Sequence, residues 1–132
     1  MQSDVQFYPG QQVILKSGGP IMTVHAVSPN GTSVACRWFD INLTPEACYE
    51  DFSTSVLRVL DIQGVGPTDK IALSEGAVVQ LRSGGPLMTV QSVKESGDTR
   101  RCVCIWFDER NRKTTSSSIT FHPHAVVEID GY

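Results

Sequence analysis

No stretch of this chain approaches the roughly 18 consecutive apolar residues that a membrane-crossing helix needs, so no membrane span is expected. The opening residues, MQSDVQFYPG, hold neither a basic start nor an apolar core. No secretion signal is therefore expected. The chain is expected to be cytoplasmic, with Cys36, Cys48, Cys102 and Cys104 as reduced thiols. A large excess of one charge is also missing. The net charge is −3, which argues against an overall basic footprint for duplex DNA or anionic membrane, though not against a local patch. What is present is an ordinary globular mixture, 40% hydrophobic and 19% charged. That composition argues against disorder. The 132 residues suffice for one common domain or two very small ones.

The chain says one thing twice. Residues 15–24 read LKSGGPIMTV and residues 81–90 read LRSGGPLMTV. Residues 10–27 laid over residues 76–93 agree at 11 of 18 positions without a gap. The match resumes with VACRWFD (34–40) over CVCIWFD (102–108), pairing Cys36 with Cys104 and Trp38-Phe39-Asp40 with Trp106-Phe107-Asp108. A weaker match sets FSTSVL from Phe52 over FHPHAV from Phe121. The gaps fall between motifs, where surface loops tolerate them. These matches divide the chain into a first module at residues 1–61, a connector at 62–75 and a second module at 76–132. Two copies are too few for a solenoid, and each is near the lower size limit for folding alone. The copies are therefore expected to pack on each other as a pseudo-twofold pair.

Within each module, QQVILKS and AVVQLRS read as strands, rich in β-branched residues and preceded by glycine. Ser-Gly-Gly-Pro breaks the ladder, because glycine permits positive φ and proline lacks a donor, and a tight hairpin turn is expected. The return strand, IMTVHAV or LMTVQSV, does not hold a strict period of two, which predicts a bend or bulge. Asn30-Gly31 marks the next turn. The Trp-Phe-Asp strand follows, with Cys36 and Trp38, or Cys102, Cys104 and Trp106, on one face and Phe39 or Phe107 on the other. TPEACYEDF reads as part-helical, with Thr44 as N-cap and Pro45 in the first turn. Short twisted strands with glycine-rich turns predict a mainly β protein: two tandem SH3-like small barrels of about five strands each.

The string G-x-x-V-x-L-x-S-G-G-P-x-M-T-V, followed by C-x-W-F-D, resembles the YodC-like family of small bacterial proteins of unknown function. Gly10, Val13, Leu15, Ser17 to Pro20, Met22 to Val24, Cys36 and Trp38 to Asp40 carry the resemblance in the first copy. Gly76, Val79, Leu81, Ser83 to Pro86, Met88 to Val90, Cys104 and Trp106 to Asp108 carry it in the second. The family usually shows one such module, so the tandem form is a departure. The resemblance implies a small intracellular β-protein of bacterial or phage origin, and brings with it no known activity and no assigned site.

Chemistry is thin. Cys102, Cys104, His122 and His124 have the donor types of a tetrahedral zinc site. The first copy, however, has Ala35 beside its single Cys36, and Ser53 and Ser55 where the histidines stand. A module that folds without these ligands does not need them, so no metal or cofactor is expected. The shared motifs contain no histidine, which leaves a cysteine or serine nucleophile without a base. Asp40 and Asp108 give one carboxylate per module, where sugar hydrolysis wants a pair. Lys16 and Arg82 precede the Gly-Gly turns, a thin basis for an anion nest.

Binding without turnover is the expectation, with a protein as the leading partner. Phe39 and Phe107, facing away from the tryptophans, are the candidate contacts, together with Asp40 and Asp108; equally, the other copy could bury the phenylalanines. Nucleic acid or a nucleotide is the alternative. The second copy holds seven basic and six acidic residues against three and five in residues 10–61. Arg100, Arg101, Arg110, Arg112 and Lys113 flank its aromatic strand, as in a stacking platform beside cations.

Overall fold

The computed structural model describes residues 6–40, 46–60, 71–96, 99–110 and 113–131. The first copy forms β1 (Gln12–Leu15), β2 (Met22–Val27), β3 (Ser33–Asp40), β4 (Glu46–Ser53), a 3-10 turn (Thr54–Val56) and β5 (Leu57–Val59). The second forms β6 (Val78–Leu81), β7 (Met88–Ser96), β8 (Thr99–Arg110), β9 (Lys113–Phe121), a 3-10 turn (Pro123–Ala125) and β10 (Val126–Glu128). Each copy is one five-stranded antiparallel sheet. The orders, β4-β3-β2-β1-β5 and β9-β8-β7-β6-β10, are equivalent. The sequence repeat is thus a structural repeat. No helix among the described residues is long and apolar enough to cross a membrane.

Local chemistry explains the elements. Gly18 and Gly19 have φ of 102° and 121°, and Gly84 and Gly85 have 108° and 140°, values that disfavour any residue with a Cβ. They open a loop rather than a two-residue turn, since β1 ends at Leu15 and β2 starts at Met22. The expected bulge is present in both return strands. The ladder shifts register between Val24 and Ala26, and again between Val90 and Ser92. His25 and Gln91 are the extra residues. At the next turn Gly31 takes φ 73°, and the Asn30 side chain accepts hydrogen bonds from the Thr32 backbone N–H and the hydroxyls of Ser28 and Thr32.

Three expectations need correction. The stretch read as part-helical is the strand β4, paired along its length with β3 from Ser33↔Ser53 to Asp40↔Glu46. A continuous ladder outweighs the helix-start signal; Thr44 and Pro45, which carried that signal, lie outside the described residues. The sheets are open, not closed barrels: each ladder ends at edge strands, β4 and β5 or β9 and β10. The copies do pack on each other, but without the reciprocal contacts that a twofold requires: Thr23 meets Ser83, whereas their counterparts Thr89 and Ser17 are both exposed.

Each copy has its own core. Val13, Met22, Val24, Val34, Cys36 and Leu57 form the first. The second is larger: Val79, Leu81, Met88, Val90, Cys102, Cys104, Trp106, Phe121, Ala125 and Val126, with Phe39 of the first copy inserted. Phe7 packs on the first core and Leu73 on the second, both three residues before the repeat's first glycine. Leu73, in the connector stretch, thus packs against the second core.

Candidate functional site

The two sheets meet along a seam built from named pairs. Thr23, on β2, is fully buried; its hydroxyl donates to Ser83 Oγ at 2.7 Å and accepts from the Ser83 backbone N–H at 2.9 Å. Phe39, 9% exposed, sets its ring edge-on to Trp106, with centroids 5.3 Å apart. The same ring presses on Gly85, where an added Cβ would come within 2.4 Å of it. His25, on the β2 bulge, accepts the His122 backbone N–H at Nδ1 over 2.9 Å. Gly10 approaches the His124 carbonyl so closely that a Cβ would lie 2.6 Å from its oxygen. Arg82 Nε donates to that same carbonyl at 2.6 Å.

A cleft of about 520 Å³ opens beside this seam, between edge strand β4 of one sheet and edge strand β9 of the other. Arg37, Ala47 and Tyr49 line one wall, Ser118 and Thr120 the other, and Trp106 the floor. Tyr49 is 68% exposed, and the Arg37 guanidinium lies 5.2 Å from its ring centroid, within cation–π range. Two donors there have no hydrogen-bond partner among the described residues: Arg37 Nε and the indole N–H of Trp106, a residue only 6% exposed. A buried donor left unpaired costs about 1–3 kcal/mol. Burial is also the main influence lowering the Arg37 pKa from its ordinary value, opposed by Tyr49 and Asp51.

The residues singled out from sequence do not gather in one place. Lys16 is exposed, with its backbone N–H on the Val56 carbonyl. Asp40 is exposed at the end of β3. Phe39 is inside the seam, whereas its counterpart Phe107 is 73% exposed. Arg82 is engaged with His124. Arg100 is engaged too, through Nη2 on the Ile71 carbonyl and a 3.3 Å ion pair with Glu95. Arg101 is exposed and lines a smaller hollow with His25 and His122. Asp108 and Arg110 lie at the far end of β8, where Arg110 pairs with Lys113 of β9; Arg112 lies outside the described residues. At about 3.3 Å per residue, Arg101 and Arg110 stand roughly 30 Å apart along β8. Arg101 and Arg110 therefore stand near opposite ends of β8.

The cysteine–histidine set is likewise structural in its contacts. Cys102 and Cys104 are buried with sulfurs 3.9 Å apart, and Cys102 Sγ donates to the Phe121 carbonyl. Contact with Cys102, then burial, pushes the Cys104 thiol well above the ordinary range. His122 caps the 3-10 turn by accepting the His124 N–H, the role that the Ser53 hydroxyl plays toward Ser55 in the first copy.

Arg37, Tyr49 and Trp106 as a group, and the Thr23–Ser83 pair, were not legible in the sequence. Tyr49 lay in the stretch read as helix. No pattern within one module tells which edge of it will face the other.

No curated protein matches the chain. A family described as "Uncharacterized small protein (DUF2158)" matches it over residues 9–48 and 74–125, one segment per copy, and the chain belongs to that family.

Proposed function

We propose that the protein is a non-enzymatic binding module whose partner is another protein, taken as an extended segment in the cleft between β4 and β9. The observation that carries this reading is the cleft itself. Two edge strands flank it, and edge strands can accept a further strand through main-chain hydrogen bonds. Arg, Tyr and Trp, the residue types that dominate interface energetics, line it. The YodC-like resemblance and the SH3-like reading fit this proposal. In both sheets the last short strand returns to pair with the first, as in a small five-stranded barrel.

Nucleic acid or a nucleotide, held by the basic residues of the second copy, has less support, because Arg82 and Arg100 are committed to internal carbonyls and Arg101 and Arg110 lie near opposite ends of β8.

A peptide-display selection against the intact protein tests the proposal. Selected peptides should perturb the Trp106 indole and Tyr49 resonances and lose at least tenfold in affinity (about 1.4 kcal/mol) with Tyr49→Ala. Failure to select any peptide, or selected peptides indifferent to Tyr49→Ala, would sink it. Binding of a labelled single-stranded oligonucleotide that collapses between low and moderate salt would support the alternative.

A further inference from the structure

The seam between the copies is one-way. The first copy contributes Thr23, His25 and Phe39. The second contributes Ser83, Gly85, Trp106 and the backbone of His122. Under the repeat, the contributing face of the first copy corresponds to Thr89, Gln91 and Phe107 on the second. The receiving face of the second corresponds to Ser17, Gly19, Trp38 and Ser53 on the first. Among the described residues, neither of these counterpart faces takes part in the seam. Thr89, Gln91 and Phe107 are exposed, Phe107 at 73%. Ser17, Gly19 and Ser53 are exposed, and a Cβ at Gly19 would meet nothing within 4 Å. Trp38 is half-buried where Trp106 is buried.

The chemistry of the unused faces matches that of the used seam. Thr89 and Ser17 repeat the Thr23–Ser83 pair. Phe107, Trp38 and Gly19 repeat the Phe39, Trp106 and Gly85 contact. Gln91 replaces His25 on the equivalent bulge, and its amide oxygen can accept a backbone N–H as the imidazole does. A heterologous contact of this kind leaves one complementary face open at each end, and copies add head to tail until a ring closes or a filament grows. We infer that the Phe107 face of the second module docks on the Gly19–Trp38 face of the first module of another copy of this chain, repeating between chains the seam that joins the modules within one.

Sedimentation of the intact protein over a wide range of concentration tests this with two surface variants. Phe107→Asp spoils only the projecting face, and Ser17→Arg only the receiving face. Both positions are exposed, so circular dichroism and the thermal midpoint should match wild type at dilutions where the wild type is a single chain. The wild type should grow in mass with concentration. Each variant alone should run as a single chain. An equimolar mixture of the two should form a two-chain species and nothing larger, since one intact face of each kind remains. A wild type that stays a single chain at every concentration overturns the inference. So does an oligomer indifferent to both substitutions. A mixture that stays single-chain while the wild type assembles also overturns it, because a symmetric contact, not a head-to-tail one, would then be at work.

Discussion

Thr23 and Ser83, 60 residues apart, exchange two hydrogen bonds across the seam, one hydroxyl to hydroxyl and one from backbone N–H to hydroxyl. Thr89, the repeat counterpart of Thr23, is exposed. Thr23→Val keeps the shape but strips both bonds and leaves the Ser83 donor facing a methyl group. The cost should be about 1–3 kcal/mol. Thr89→Val should fall within about 0.5 kcal/mol of wild type, as exposed substitutions do. Urea denaturation of the two variants gives the comparison, and equal losses would contradict the one-way seam.

The Phe39–Gly85 contact predicts a second asymmetry. Phe39→Ala empties a site beside Trp106 in the larger core and should cost about 3–5 kcal/mol. Phe107→Ala should cost little. Gly85→Ala and Gly19→Ala share the penalty of a Cβ at positive φ, but only the former meets the Phe39 ring, at 2.4 Å. The difference between the two glycine variants isolates the steric clash, for which about 1–3 kcal/mol is expected. A Gly85→Ala/Phe39→Ala double variant should recover most of that difference.

Much of the fold is written locally. The Ser-Gly-Gly-Pro loops, the bulges at His25 and Gln91, the alternation that buries Cys36 and leaves its neighbours half-buried, and the equivalence of the two sheets all follow from residue type and spacing. The relation between the copies does not. Trp-Phe-Asp is identical in both, yet Phe39 is buried and Phe107 is exposed, because burial there depends on which copy presents which face, a non-local fact. Likewise β4 is a strand despite helix-start residues before it, because β3 offers a full ladder. The cleft residues Arg37 and Tyr49 face each other across paired strands at the register Arg37↔Tyr49, and no linear motif marks that pairing.

Solvent access divides the thiols sharply. Cys36, Cys102 and Cys104 are wholly buried, whereas Cys48 on edge strand β4 is partly exposed. Burial, then the Asp51 charge, pushes Cys36 up to about 12, so its reactive thiolate is scarce as well as hidden. Burial also raises Cys48, opposed by a backbone hydrogen bond at Asp40, and its labelling should be slow at neutral pH. Iodoacetamide on the native protein should modify Cys48 alone, and denaturant should release the other three. Mass spectrometry of the labelled chain decides the matter; early labelling of Cys102 or Cys104 would mean that the second core opens more readily than its packing implies.

Acid should loosen the seam through His25. Burial first, then the nearby charges of Arg37, His122 and Arg101, hold its pKa at about 3 against an ordinary 6.5. His122 is held at about 4 by burial, His124 and Arg100. Both must stay neutral to accept: His25 Nδ1 takes the His122 N–H, and His122 Nδ1 takes the His124 N–H. A folded pKa below the unfolded one means that the unfolded chain gains protons first as pH falls. Stability is therefore full above 6.5 and declines between 6.5 and the folded values, with a slope from His25 alone approaching about 1.4 kcal/mol per pH unit. Between pH 6.5 and 5 this loss precedes most carboxylate titration. His25→Gln, which installs the residue found at position 91, should keep an acceptor for the His122 N–H while removing the titration. Its denaturation midpoint should fall less steeply over that window than the wild type's, the remaining slope coming from His122. Parallel curves for the two proteins would show that the seam does not depend on a neutral imidazole at position 25.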